Sequence, residues 1–157
     1  MKLILFLTLI TSNLFGQCPE LLKIEIDKSD NTQHLSQIEP LQTERVTIEC
    51  SKNKWGVICI YLKGPNGSSC IRENMPVIFY LEDDTSVKMT HGGTFSTNGH
   101  AKVFFGGIYG HKKEFKQLLC RYVIAIRINT MGRFIETNLT EDQSVRLYEI
   151  LNCIQKG

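Results

Sequence analysis

Three histidines and two adjacent aspartates are the residues of this chain whose types could carry acid–base or metal chemistry. They lie in or just before a glycine-rich stretch and are His91, His100, His111, Asp83 and Asp84. Imidazole and carboxylate groups are common zinc ligands and common general acids and bases. Sequence spacing gives no reason for these loops to converge, and adjacent carboxylates at a turn are usually solvated. We keep the five residues as a candidate functional loop and predict no catalytic, metal-binding or cofactor-binding residue.

Motifs that would name a reaction are missing from the chain. Residues 91–94 are similar to the glycine-rich oxyanion segment of esterases, but no G-x-S-x-G nucleophile elbow accompanies them. The chain also lacks a Walker-type phosphate loop and a Cys-x-x-Cys pair. The sequence therefore favours a binding module over an enzyme, and we expect no cofactor.

Six cysteines are the other residues with chemistry of their own: Cys18, Cys50, Cys59, Cys70, Cys120 and Cys153. An even number of cysteines in an exported chain permits up to three disulfides. A hairpin loop at residues 53–56 would place Cys50 opposite Cys59, where a bond could form. Cys120 and Cys153 each end a predicted helix, and a bond between them would tie down the C-terminus. Buried free thiols are the alternative for at least one pair.

The first seventeen residues have the composition of an export signal. Lys2 precedes an apolar run over residues 3–14 that is too short to span a bilayer, and a small residue follows it. We therefore predict a signal peptide over residues 1–17 and an exported protein, periplasmic or secreted. A lipid anchor on Cys18 is the alternative, but Gln17 stands where the usual lipobox has a small residue.

Charge and size limit the classes of partner. Loss of the leader removes one of the 18 basic residues and no acidic one, which leaves 17 basic against 16 acidic side chains. No global field for nucleic acid remains, so we expect no nucleic-acid partner. A short basic cluster over residues 111–121 is typical of a solvated helix face. The expected partner is a protein of the cell envelope or the extracellular space.

The rest of the chain must supply the elements that position these residues. Residues 18–44 are a polar N-terminal segment with a candidate edge strand at 24–27 and a loop over 29–42, and residues 45–157 form one domain. Short β-branched runs between turn residues predict strands in that domain. They lie at residues 46–50, 57–62, 77–81, 86–89, 102–105, 122–129 and 133–139.

The last third of the chain has the clearest pattern. We predict a short amphipathic helix over residues 112–119 and then a hairpin that turns at residues 131–132. Its register places Arg127 opposite Glu136, an opposite-charge pair, on one face. The other face carries the isoleucines of the first strand, Ile124, Ile126 and Ile128.

A capping box marks the start of a C-terminal helix over residues 140–154. Thr140 is followed three residues later by Gln143, so each side chain can bond the other's backbone amide. The apolar stripe of this helix is expected to pack on the preceding hairpin. The prediction is an α+β domain: an antiparallel sheet of about six or seven strands, a short helix before the last hairpin, and a C-terminal helix packed on one face.

Four segments carry a resemblance to a known class of proteins: the hairpin over residues 77–89, the helix ending at residues 117–119, the strand at 123–128, and the closing helix with a late cysteine. With the leader, they resemble small uncharacterised exported proteins of the Bacteroidota. The resemblance implies an exported protein with this fold, and it implies no activity.

We expect a non-enzymatic exported module that binds a partner. One rival is a small hydrolase or metal-dependent enzyme that uses the candidate functional loop. Another is an inhibitor or immunity-type protein. Two of the histidines and a carboxylate within hydrogen-bonding reach in one pocket would favour the enzyme.

Overall fold

The computed structural model of the chain describes residues 18–27, 32–65 and 70–157, so the predicted signal peptide lies outside the described residues. The predicted α+β class is confirmed. The strands are β1 (Leu22–Asp27), β2 (Thr32–Gln37), β3 (Leu41–Gln42), β4 (Thr47–Lys52), β5 (Ile58–Lys63), β6 (Pro76–Leu81), β7 (Ser86–Thr90), β8 (His100–Phe105), β9 (Val123–Thr130) and β10 (Arg133–Asn138). The helices are α1 (Cys18–Leu21), α2 (Lys112–Cys120) and α3 (Glu141–Lys156), and a 3₁₀ turn over Gly107–Tyr109 precedes α2.

The strands form two antiparallel sheets where one sheet was expected. The larger sheet has the order β1-β2-β4-β5-β8, with β3 also paired to β4, and the smaller has the order β10-β9-β6-β7. Buried side chains of both sheets and of α3 form one cluster, so the apolar faces of the two sheets share one core with the helix.

This shared core draws on both sheets and on α3. Alternate residues of β5 and β6 are buried, as expected for strands with one apolar face. The fully or almost fully buried side chains include Ile48, Ile60 and Val103 from the larger sheet, Val77, Phe79 and Ile126 from the smaller sheet, and Leu147, Leu151 and Ile154 from α3.

The C-terminal hairpin has the predicted register. Thr130 pairs with Arg133, and Arg127 pairs with Glu136. The predicted burial of Ile124 is wrong, because this side chain is 41% exposed. A β-bulge explains the difference: Tyr80 pairs with Ala125 whereas Leu81 pairs with Val123, so Ile124 is the extra residue.

The two predicted helices are present, and the capping box of α3 is confirmed. The Thr140 hydroxyl accepts from the Gln143 amide at 3.3 Å, and the Gln143 side-chain oxygen accepts from the Thr140 amide at 2.8 Å. The helix contacts strands of both sheets, including β4 and β9. The predicted capping box therefore starts an element that closes the core.

The loop predicted over residues 29–42 is wrong where β2 and β3 form. β1 and β2 are a hairpin, and β1 is the edge strand of the larger sheet. Gln37 hides the strand pattern, because it is a polar residue at a buried position. Its side-chain oxygen accepts from the Cys50 amide at 3.0 Å, so it pairs with the neighbouring strand where an apolar residue would pack.

A disulfide joins Cys18 to Cys153, with 5.4 Å between their Cα atoms. The predicted bond between Cys120 and Cys153 is therefore wrong, and Cys120 is exposed and free. The same bond occupies the Cys18 sulfur, to which the lipid of the anchor considered for this residue would be attached. A disulfide across 135 residues fits a protein of an oxidising compartment.

The predicted bond between Cys50 and Cys59 is also wrong, because the register is shifted by one residue. Cys50 pairs with Ile60, and Cys59 pairs with Ser51. Side chains alternate between the faces of a sheet, so Cys50 points into the core and Cys59 points away from it. Both thiols are free, as is the thiol of Cys70.

Candidate functional site

His91 is a buried structural residue. Its Nδ1 accepts the backbone amide of Lys102 at 3.0 Å, so its Nε2 carries the proton and donates to the Thr94 carbonyl oxygen at 2.9 Å. A Cβ on Gly93 would lie 2.7 Å from the His91 ring, so glycine lets the loop close around the imidazole. Residues 91–94 therefore resemble an oxyanion segment for a structural reason: the glycines let the loop pack around His91, whose ring bonds to β8.

His100 lies at the start of β8 and pairs with Tyr61 of β5. The Tyr61 hydroxyl oxygen is 2.9 Å from His100 Nδ1, and the two rings meet edge to face. Partial burial, and then the positive charge of Lys63, lower the pKa of His100 below its usual value of 6.5. The imidazole is therefore neutral at physiological pH, and the Tyr61 hydroxyl can donate to it.

The other three residues of the candidate functional loop lie elsewhere. His111 precedes α2, and its Nδ1 is 3.9 Å from the carboxylate of Glu114. Asp83 and Asp84 lie in the turn between β6 and β7. The Thr85 hydroxyl, and then Arg121 at 2.7 Å, lower the pKa of Asp83.

His91 and His100 thus line one cleft, of about 300 Å³, without the other three residues. The rest of its lining is Tyr61, Lys102 and residues 93–98, which include no carboxylate. In residues 18–27, 32–65 and 70–157, no three side chains of His, Cys, Asp or Glu are grouped to hold a metal ion. The arrangement that would favour the enzyme is not formed by these residues.

The larger sheet presents a polar surface on the side away from the core. Alternation along β4, β5 and β8 places every second side chain there. We name this surface the outer face, and it comprises Glu49, Ser51, Cys59, Tyr61, Lys63, His100, Lys102 and Phe104. The register sets Glu49, Tyr61 and Lys102 side by side across the three strands.

The two lysines of the outer face differ in their surroundings. Lys63 Nζ lies 2.5 Å from the Glu49 carboxylate, which raises the pKa of Lys63. Lys102 has no carboxylate within 4 Å in the described part of the chain, and its ammonium lies 5.3 Å from the centre of the Tyr61 ring. Such a cation near an aromatic ring is held weakly and stays accessible to a ligand.

Two clefts meet at the centre of this face. The larger, of about 580 Å³, extends toward β1 and β2 and is lined in part by Glu25, Ser36 and Cys59. The smaller is the cleft of His91 and His100. Both are lined by Tyr61 and Lys102. Sequence analysis missed Lys102, although the alternation of His100 and Lys102 with the apolar Ala101 and Val103 was the available signal.

The outer face contains no activated thiol. Burial raises the pKa of Cys59 to about 11, and burial also raises the pKa of Cys50 on the opposite side of the sheet. Both cysteines are therefore protonated at neutral pH, whereas nucleophilic cysteines are thiolates. The face offers a positive charge, an aromatic ring and hydrogen-bonding groups, which are the means of binding.

No helix in residues 18–27, 32–65 and 70–157 has the length and apolar composition needed to cross a bilayer. Comparisons with known proteins leave the family open: no family model, curated protein or solved structure matches this chain.

Proposed function

We propose that this protein is exported and works as a non-enzymatic module that binds a protein partner through the outer face of its larger sheet. The observation that carries the proposal is the pair of Tyr61 and Lys102, which lines both clefts and includes a cation with no carboxylate within 4 Å among the described residues. Lys102 is exposed and Tyr61 is half-buried, so both are accessible to a partner.

Binding fits the surrounding groups better than catalysis. Both ring nitrogens of His91 are already used within the fold. His100 bonds to Tyr61, and Cys59 holds its proton. A nucleophilic mechanism also needs a third group that orients the base, and the lining of the cleft that holds Tyr61 and His100 includes no carboxylate for that role.

The outer face also indicates the chemistry of the partner. A carboxylate would find its positive counterpart in Lys102, and an apolar or aromatic group could pack on Tyr61. The polar loop of residues 94–98 supplies hydroxyl and amide groups at the rim of the smaller cleft. An aromatic anchor within a polar rim is the common anatomy of a protein interface. We therefore expect the partner to present an acidic segment.

Export is supported by the disulfide between Cys18 and Cys153, since such bonds persist in oxidising compartments. It is tested by fractionating cells and measuring the mass of the protein. We expect a chain without residues 1–17 in the periplasm or the medium. An intact chain that stays in the cytosol with reduced cysteines would contradict export.

The binding proposal is tested with tagged protein that begins at Cys18, used to capture partners from envelope and medium fractions. The variant Lys102→Glu keeps the backbone amide that His91 accepts, and it should weaken binding of the captured partner at least about 10-fold. Tyr61→Phe, which removes only the hydroxyl, should have a smaller effect.

The matched control is Lys88→Glu, the same charge reversal at an exposed position of the smaller sheet. Binding of this variant should equal that of the wild type. The proposal fails if Lys102→Glu retains every partner of the wild type, or if both reversals weaken binding equally.

A further inference from the structure

The outer edge of β1 is a second surface without a partner. No strand of the described residues pairs with β1 on the side opposite β2. Ile24 and Ile26 on this strand are 66% and 57% exposed. Proteins usually protect strand edges, because a row of free backbone groups beside apolar side chains is a template for another strand.

The ladder between β1 and β2 shows which backbone groups point outward. The Ile38 amide donates to the Leu21 carbonyl oxygen at 2.9 Å, so these two residues form a hydrogen-bonded pair in the same register as the ladder. Hydrogen-bonded and non-hydrogen-bonded pairs alternate in an antiparallel ladder. Lys23 and Glu25 therefore bond to β2, and the amide and carbonyl groups of three residues point to the free edge: Leu22, Ile24 and Ile26.

We propose that a second copy of this chain binds at this edge, with the two β1 strands antiparallel and Ile24 opposite Ile24 of the second copy. Lys23 and Glu25 also line the larger cleft, but the backbone groups that make this contact belong to the free edge of β1 and not to the pair of Tyr61 and Lys102, so the inference does not depend on the proposed function. The arrangement is a twofold contact in which each strand supplies the same groups to the other.

The backbone groups match in this register. Ile24 of each copy both donates to and accepts from Ile24 of the other. Leu22 of one copy is opposite Ile26 of the other, and these residues also have outward-pointing groups. Every outward amide and carbonyl of the three residues thus meets a complementary group.

The charges select this register over its neighbours. With Ile24 opposite Ile24, Lys23 lies opposite Glu25 of the second copy at a non-hydrogen-bonded position, where side chains approach most closely. A shift that keeps the backbone groups matched must move the second strand by two residues. In one direction it sets Lys23 opposite Lys23, and in the other it sets Glu25 opposite Glu25.

Within one copy, Lys23 Nζ and the Glu25 carboxylate lie 2.6 Å apart on the exposed surface. Exposed pairs of this kind contribute little to stability, so either residue can be reversed without unfolding the strand. In the dimer, both residues gain a cross-strand counterpart. The isoleucines on the other side of the strand lose solvent exposure at the same time, which favours association.

The inference is tested by sedimentation of the chain beginning at Cys18, from about 10 µM to about 1 mM, a range suited to a small interface. The wild type should show a monomer–dimer equilibrium. Lys23→Glu and Glu25→Lys should each weaken it at least about 10-fold, because each sets like charges opposite one another. An equal mixture of the two variants should dimerise, because lysines then face acidic residues at both positions.

The matched control is Lys88→Glu on β7, an edge strand of the smaller sheet, which should dimerise like the wild type. The mixture also guards against misfolding, since two unfolded variants could not restore a specific dimer. A wild type that stays monomeric at about 1 mM overturns the proposal. So does a mixture that associates no better than its components.

Amide hydrogen exchange at low and high protein concentration locates the contact. The amides of Leu22, Ile24 and Ile26 should become protected as concentration rises, whereas those of Lys23 and Glu25 are already bonded to β2. Concentration-dependent protection confined to another edge, such as β7, β8 or β10, would overturn the assignment.

Discussion

Arg127 of the smaller sheet and Lys102 of the larger sheet are both cations near an aromatic ring on the side away from the core, but they differ in whether a carboxylate lies beside them. The Arg127 guanidinium lies 4.5 Å from the Phe134 ring centre, and its Nε is 2.5 Å from the Glu136 carboxylate. Lys102 of the larger sheet has the Tyr61 ring and no carboxylate within 4 Å in the described residues. Under the proposed function, the missing counter-charge, rather than the cation itself, distinguishes the surface that would bind a ligand.

The sheets also differ in how the chain holds them. The smaller sheet consists of two local hairpins, β6–β7 and β9–β10, joined through β6 and β9. The larger sheet begins at β1, next to Cys18. The disulfide partner of Cys18 is Cys153, which lies 135 residues away in α3. The start of the larger sheet is therefore held by a covalent link to α3, whereas the smaller sheet is held by its two hairpins and by the pairing of β6 with β9.

Breaking that link should have the largest effect on stability. The double variant Cys18→Ser/Cys153→Ser should lower the free energy of unfolding by about 2–5 kcal/mol, because the disulfide restricts a long loop of the unfolded chain. Denaturant titration measures the loss. Before reduction, four thiols of the unfolded wild type should react with a labelling reagent, and all six should react after it.

The exposed Cys120 provides the control for this variant. Cys120→Ser should change the free energy of unfolding by less than about 0.5 kcal/mol. Amides that exchange by global unfolding should lose protection equally in both sheets, whereas those that exchange by local opening should lose it mainly in β1 and β2, beside the missing bond. Equal loss in both sheets for the amides that open locally would contradict the comparison.

Removing the cap of α3 should have a smaller effect that reaches both sheets. Thr140→Ala removes the hydroxyl that accepts from Gln143 and should cost about 1 kcal/mol of unfolding free energy. The matched control Thr90→Ala lies at an exposed strand end. Because α3 contacts β4 and β9, exchange should increase in both sheets. An effect on one sheet alone would mean that they do not share the helix as a common cover.

Neutralising Arg127 and Lys102 one at a time should distinguish a cation that supports stability from one that supports partner binding. Arg127→Met removes a paired and stacked charge, so its denaturation midpoint should fall, by less than that of Thr140→Ala. Lys102→Met removes a cation that has no carboxylate within 4 Å in the described part of the chain, so its midpoint should stay unchanged while partner binding weakens. The reverse order of stability effects would show that Lys102, rather than Arg127, supports the fold.

Acidification should reveal the smallest difference, at His100. Its pKa is lowered in the folded chain, so below pH 6.5 the unfolded chain takes up a proton that the folded chain resists. The stability that depends on neutral His100 is thus complete above that pH and is lost as pH falls. Between pH 7.5 and 5.5 the wild type should lose more stability than His100→Gln, and equal losses in a denaturation series would refute this.

The two best-defined hairpins show how much of the fold could be predicted. In β9–β10, a single register both aligns the isoleucines on one face and sets Arg127 opposite Glu136 on the other. Because no other register meets both conditions, the predicted register is correct. In β4–β5, the loop has five residues where four were expected. The Asn53 side-chain oxygen accepts the amides of Trp55 and Val57 at 3.0 Å, and this bonding shifts the strands by one residue.

The candidate site could be predicted only in part. The histidines were visible as residue types, but the sequence could not show that both ring nitrogens of His91 bond within the fold. The role proposed for Lys102 could not be predicted from the sequence, because it depends on the lack of a carboxylate near its ammonium group in the described residues. The position of a counter-charge on a neighbouring strand is a property of the register, and composition does not reveal it.

The sequence by itself determined the α+β class, the hairpin of β9 and β10, and the capped start of α3. These features rest on periodicity, turns and hydrogen bonds between residues close in the chain. Only the tertiary structure decided the division into two sheets, the joining of Cys18 to Cys153 and the pairing of Tyr61 with His100. Contacts between distant residues depend on how the apolar faces pack together, which is a property of the whole core.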